Sequence, residues 1–423
     1  MLDINYVRAH PDEIREMLLR RNTEGPLDAV LEADSRRRSL LAEVESLKAQ
    51  RNAVSKEIGK GKDAPEREAK IAEMKRVGDR IAALDEEVRT AEETLRESLA
   101  AIPNLPDART PAGRDESGNV VLRASGEPRP LGFEPKPHWD LGPALGILDF
   151  EQAARITGSR FYILYGAGAR LQRALISWML DLHIRQGYRE VYPPYMVRSE
   201  TLFGAGQLPK FADNLYHDVE EDLWMIPTAE VPLTNLLAGE ILEAERLPLH
   251  YTAYTACFRR EKAAAGRDVR GIKRVHQFDK VEMYMLCTPE AADAEFEKML
   301  ADAEQVCAGL GLTYRVKQLC TGDLGFNATR TYDLEVWSPG VGEWLEVSSV
   351  SHCGDFQARR AGLRYRPVKG AKPELVHTLN GSGLALPRTM IAVMENFQTP
   401  VGEIVVPEVL RPWMGGMDVI RKE

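Results

Sequence analysis

A chain of 423 residues, 44% hydrophobic and 28% charged, has the length for two or three domains and the composition of a globular protein. Nothing in it approaches the run of roughly 20 apolar residues that a membrane helix needs, and Met1-Leu2-Asp3-Ile4 opens no secretory signal. The net charge of −9 excludes indiscriminate nucleic-acid binding over the whole surface, so any RNA contact must rest on local basic patches.

Residues 1 to about 25 read as a short helical cap. A different pattern follows. Leu40, Val44, Leu47, Arg51, Val54 and Ile58 step by four and three, as do Met74, Val77, Ile81, Leu84, Val88, Ala91 and Leu95. Both are coiled-coil seams. Gly59 to Pro65 breaks the helix between them, so the expectation is an antiparallel helical hairpin over about 27–100 that projects from the body. A helix from Leu27 to Ile58 would be roughly 48 Å long. Between Lys48 and Arg76 nine cations face five anions, a net of +4, and the stalk below is acid-rich. Lys48, Arg51, Lys56, Lys70 and Lys75 are therefore candidate contacts to an RNA backbone. A solvated coil or a protein-docking arm explains the charge equally well.

Ile102-Pro103-Asn104-Leu105-Pro106 ends the hairpin, and the domain boundary is expected near residue 108. From His138 the pattern is mixed. Helices are predicted over 171–184 and 291–310. Extended stretches are predicted at 224–226, 249–258, 275–286, 314–319, 332–337, 344–350 and 376–379. Strands that follow one another without alternating helices predict an antiparallel sheet for 109–423, flanked by helices, and an α+β fold overall.

The densest chemistry lies in Phe258-Arg259-Arg260-Glu261, a loop rich in Gly, Ala and Lys/Arg, and Arg274-Val275-His276-Gln277-Phe278. Extended backbone is expected from 255 to 261, which puts Arg259 and Glu261 on one face. In the returning strand, alternation puts Phe278, Lys280, Glu282 and Tyr284 on one face and Asp279, Val281, Met283 and Met285 on the other, apolar one. Phe278 and Glu282 then stand roughly 13 Å apart along that face. A fixed guanidinium suits an anionic group, and an aromatic ring suits a flat one. No Gly-x-x-x-x-Gly-Lys loop or dinucleotide fingerprint is present. The five cysteines are odd in number and widely spaced, with no Cys-x-x-Cys, so neither a disulfide framework nor a zinc site is expected, and reduced cytoplasm is the natural compartment.

Phe-Arg-x-Glu, a basic loop and Arg-x-x-x-Phe resemble motif 2 of the class II aminoacyl-tRNA synthetases. Gly187 to Tyr195 resembles motif 1, whose proline (here Pro194) sits at a two-fold interface. Asn380-Gly381-Ser382-Gly383-Leu384-Ala385-Leu386-Pro387-Arg388 resembles motif 3, and Pro387 before the arginine departs from the broad class toward the seryl branch. With Thr228-Ala229-Glu230, Glu346-Val347-Ser348-Ser349 and the hairpin, the chain resembles bacterial-type seryl-tRNA synthetases over its whole length. The resemblance implies the following roles. Arg259 holds the α-phosphate and Arg388 stacks with Phe278 around adenine. Arg260, Glu261, Arg274 and Val275 complete the ATP site with Glu346, Val347, Ser348 and Ser349. Glu346 and Ser349 also ligate magnesium, which needs a bulge because simple alternation separates them. Thr228, Ala229, Glu230, Glu282 and Ser382 surround serine. The implied substrates are ATP and serine. The implied partners are serine tRNA, with selenocysteine tRNA as a further candidate, and a second copy of the chain, with the tRNA bound across the two subunits. A ligase for another small amino acid or a carrier protein, and an inactive coiled-coil scaffold, are the rival readings.

Overall fold

The computed structural model describes residues 1–58, 64–128, 130–262 and 270–422. The turn expected at 59–63 and residues 263–269 of the basic loop lie outside them. The chain divides into two units, 1–19 with 23–103, and 20–22 with 104–423.

In the first unit, α1 (Ile4–Ala9) and α2 (Pro11–Arg20) are capped by local chemistry. The Asp3 carboxylate accepts the N–H of Asn5 at 2.7 Å, and Pro11 occupies the first position of α2, where its missing N–H costs nothing. Two long helices follow, α3 (Leu27–Ile58) and α4 (Ala64–Ala100). The predicted seams are the buried stripe: Leu40 and Val44 cluster with Leu84, Val88 and Ala91. The ion pairs Arg37–Glu92 (2.9 Å), Arg80–Glu43 (3.0 Å), Lys48–Asp85 (3.4 Å) and Lys70–Glu57 (3.4 Å) cross the seam. The outermost pairs join the start of α3 to the end of α4 (Arg37–Glu92) and the end of α3 to the start of α4 (Glu57–Lys70), which is the signature of antiparallel helices. Toward the tip the seam dries less completely, since Arg51, Val54 and Ile58 are only half-buried.

The second unit is built on eight strands. In chain order they are β1 (Val120–Ser125), β2 (Arg189–Glu190), β3 (Leu249–Phe258), β4 (Gln277–Cys287), β5 (Tyr314–Gln318), β6 (Arg330–Ser338), β7 (Glu343–Gly354) and β8 (His377–Ala385). They pair in the order β1-β5-β6-β7-β8-β4-β3-β2. Every pairing is antiparallel except β2 with β3, so the expected antiparallel sheet carries one parallel edge. Among the helices of this unit are α5 (Gly166–Arg185), α6 (Glu230–Asn235), α7 (Ala292–Gly309) and α8 (Leu386–Asn396). Leu171, Leu175 and Met179 of α5, Phe296, Met299 and Val306 of α7, and Met390, Ile391 and Val393 of α8 form one core with Val281, Met283 and Met285 of β4. One face of β4 is thus closed by helices, and its alternate residues Phe278, Lys280 and Glu282 line a cavity.

The stretch expected to run extended to residue 261 stops earlier. β3 ends at Phe258, the Arg260 N–H donates to the Asn214 carbonyl, and Glu261 has φ +49, in the left-handed region. Arg259 and Glu261 therefore share the cavity wall through a turn of the backbone and not through strand alternation.

A candidate active site on the open face of the sheet

The cavity has a volume of about 570 Å³, within the range of small-molecule and nucleotide sites. Its wall mixes cations (Arg259, Lys273, Arg274, Lys280, Arg388) with carboxylates (Glu230, Glu261, Glu282, Glu346). The two signs are sorted by environment.

At one end the carboxylates are buried. Glu282, mid-strand in β4, sits opposite Ser382 of β8 and Ala253 of β3. Its partners are Lys280, in a close ion pair, and the Thr228 hydroxyl, which donates to Oε2 at 3.2 Å. Lys280 Nζ also donates to Thr228 Oγ1 at 2.9 Å, so the three side chains form one triangle. Burial raises the Glu282 pKa against the pull of Lys280. Glu230 opens α6, and its N–H donates to Thr228 Oγ1 at 3.1 Å. Its Oε1 accepts from Gln357 (2.6 Å) and Asn380 (3.1 Å). Burial, then the Glu282 charge, pushes Glu230 up to about 7. A pair of buried carboxylates with too little positive charge has the chemistry to take up a further cation.

At the other end the groups are more open. Arg259 donates from Nε to the Pro227 carbonyl (3.2 Å), which fixes its guanidinium with Cζ 5.0 Å from the Phe278 ring centroid. Arg388, in the first turn of α8, bonds the Glu346 carbonyl at 2.8 Å and faces its carboxylate at 3.3 Å. Arg274 lies 3.8 Å from the Glu261 carboxylate. Val275 also lines the wall. The bulge that alternation required is present. The β6–β7 register shifts between Leu334 and Glu335, so that Ser349 faces Asp333 and Ser348 faces Leu334, while Glu346 faces Glu335. Val347 is the extra residue, and Glu346 and Ser349 both reach the cavity wall.

Three sequence-selected residues take other positions. Ala229 is buried in the cluster beneath α6, Arg260 is exposed with its guanidinium 6.0 Å from the Tyr216 ring, and Ser348 donates to the Ser382 carbonyl at 2.6 Å. Their physical reasons are local: each neighbours a cavity residue and points the other way. Lys280, Gln357, Asn380 and Asp333 belong to the site but were given no role from sequence. Lys280 had a signal, its period-two spacing between Phe278 and Glu282. Gln357 had none. Asp333 is buried with Oδ1 unpartnered among the described residues, and burial and Glu346 raise its pKa well above the carboxylate range.

This wall, a charged nucleotide-sized cavity laid across an antiparallel sheet with motif 2 and motif 3 arginines, defines a class II tRNA synthetase. Residues 211–397 match the class II core domain shared by the G, H, P, S and T synthetases, and residues 1–106 match the seryl-tRNA synthetase N-terminal domain. The chain belongs to the serine–tRNA ligase family. It is 63% identical to the serine–tRNA ligase of Roseiflexus castenholzii over the full length of both chains. It is 60% identical to that of Thermomicrobium roseum, covering all of this chain and 95% of that one. Among solved structures, seryl-tRNA synthetase from Pyrococcus horikoshii complexed with ATP superposes with a TM-score of 0.93 at 38% identity, covering 100% of each chain.

Proposed function

We propose that the chain joins serine to tRNA in two steps: serine and ATP form seryl-adenylate and pyrophosphate, and a hydroxyl at the tRNA 3′ end then takes the seryl group. The observation that carries this reading is the polarity of this cavity, with the buried carboxylates Glu230 and Glu282 at one end, the partly buried Arg274 and Arg388 toward the other, and Arg259 on its wall. Glu230 and Glu282 would take the α-ammonium and the seryl hydroxyl together with Thr228 and Ser382. A buried carboxylate and hydroxyl aimed at the substrate hydroxyl are left unpaired by alanine, which sets a penalty against it. Arg259 would hold the serine carboxylate against the α-phosphate and stabilise the charge that develops there, with no covalent nucleophile needed. Phe278 and Arg388 would hold adenine between them, Glu261 would read its edge, and Arg274 would meet the distal phosphates.

The donors Glu346 and Ser349, with the unpartnered Asp333 oxygen beside Ser349, fit magnesium, a hard cation that takes oxygen ligands. Held there, magnesium would neutralise phosphate charge. The hairpin would grip the backbone of a serine tRNA, and selenocysteine tRNA is a second candidate. The region of Pro194 and α5 would join two copies across a two-fold axis, an arrangement supported by the 83% exposure of Tyr192 beside the prolines. All five cysteines are buried free thiols, which suits reducing cytoplasm. Serine-dependent ATP–pyrophosphate exchange, run across the twenty amino acids without tRNA, tests the reading. Serine should exceed all others, and exchange with alanine or threonine at the serine rate would sink the assignment.

A further inference from the structure

The limb that returns from the basic loop into β4 is held from outside the sheet. Arg270 lays its guanidinium over the Trp139 ring, 4.6 Å from the centroid. Gly271 has φ +68, and a Cβ there would stand 1.9 Å from Nε2 of His138. The N–H of Ile272 donates to that same Nε2 at 3.1 Å. Since an N–H only donates, Nε2 must hold the lone pair and the imidazole proton sits on Nδ1. Nδ1 in turn donates to Glu395 Oε1 at 2.9 Å. Glu395 lies in the last turn of α8 and, like His138, is wholly buried. Its two oxygens also accept from the His138 N–H (2.9 Å), the Ser338 hydroxyl (2.6 Å), and the N–H groups of Gly340 (2.9 Å) and Val341 (3.1 Å).

Five donors on one carboxylate fix its plane, and the carboxylate fixes the ring. An apolar pair would fill the same space with less desolvation. What the polar network adds is direction, a single acceptor aimed at one point of the limb. That point adjoins the site, for Ile272, Lys273, Arg274 and Val275 all line the cavity.

We propose that His138, oriented by Glu395, is a positioning residue for the nucleotide half of the active site: it sets the limb 270–275 so that Arg274 and Val275 stand on the cavity wall. The inference rests on the functional reading above and names a residue that does not itself touch the substrate.

The test is steady-state ATP–pyrophosphate exchange on the full chain, with KM measured separately for ATP and for serine. Absence of serine-dependent exchange in the wild-type chain would overturn the functional reading and this inference together. His138→Phe keeps the ring's shape and removes both nitrogens; it is expected to raise the KM for ATP roughly ten- to a hundredfold and to leave the KM for serine in place. His138→Gln keeps an acceptor oxygen near the Nε2 position and is expected to stay within about threefold of wild type. Equal shifts for both substrates, no shift at all, or Gln as damaging as Phe, in variants that melt with the wild type, would overturn the proposal and leave the functional reading standing. If His138→Phe does not fold, Gly271→Ala decides. Its methyl group displaces the limb from His138 without touching Glu395, so the same ATP-selective rise is expected, and wild-type KM values in that variant would overturn the proposal.

Discussion

Glu230 is the residue whose charge state the protein leaves open. Its pKa is raised from 4.5 to about 7 by burial and by Glu282, so between those pH values the folded chain holds a proton that the unfolded chain has released. The sign follows: this group's contribution to stability falls as pH rises from about 4.5 to about 7, by roughly 3 kcal/mol at most. Binding runs the other way, because an ammonium needs the ionised carboxylate. The KM for serine should therefore fall about tenfold between pH 6 and pH 8, and Glu230→Gln should flatten the profile. A wild-type profile as flat as that of the variant would remove Glu230 from amine recognition. Arg259 is the other pivot. Arg259→Ala should lower exchange by a factor of about 10²–10³, as loss of one transition-state donor does, with little change in melting temperature because the side chain is only partly buried. Unchanged turnover in that variant would take Arg259 out of the mechanism.

At the next level up, two elements set what the site and the arm can do. The bulge at Val347 turns β7 by one residue, so that Glu346 and Ser349 serve one wall although they are three positions apart. The helical hairpin depends on its seam, with Leu84 wholly buried and Val44 nearly so, while Lys48, Lys56 and Lys75 stand in solvent. Charge reversal at those three lysines should leave pyrophosphate exchange untouched. The same variant should weaken tRNA binding and flatten its salt dependence, by about 0.7–0.9 log units of slope for each phosphate no longer neutralised. If charging of tRNA is unaffected, the arm does not grip RNA and the docking-arm reading takes its place. Lys48 and Lys70 already face Asp85 and Glu57 across the seam, so part of the basic surface is engaged within the hairpin.

For the molecule as a whole, the chain falls into two compact units. Among the described residues the whole cavity wall comes from 104–423, so amino-acid activation should need nothing from the hairpin. The catalytic unit also exposes apolar surface next to the motif 1 prolines: Tyr192 is 83% exposed and Met196 43%, and Ile184 of α5 is 42% exposed. Sedimentation velocity should give a particle of twice the monomer mass, and Tyr192→Glu should shift it toward monomer with loss of tRNA charging. A fully active monomer would refute assembly through this surface.

Much of this was legible in the chain before folding. Seams spaced by three and four specify two packed helices because a helix repeats every 3.6 residues, and alternation in β4 sorts Phe278, Lys280 and Glu282 from Val281, Met283 and Met285 because a strand repeats every two. Both periods belong to the covalent chain, as does the Arg259-to-Phe278 spacing. Other features appear only when distant segments meet. The facing of Ser382 and Glu282 follows from the β4–β8 register, and the shift at Val347 from the β6–β7 register. Gln357 and Asn380 reach Glu230 from 127 and 150 residues away, and Glu395 reaches His138 from 257. The raised pKa of Glu230 is a sum over everything that excludes water around it, and no local pattern encodes that sum. Residue types and repeats settle which elements form and what chemistry they can carry; register and desolvation, which depend on the whole packed unit, decide which of those groups face one another and in what charge state.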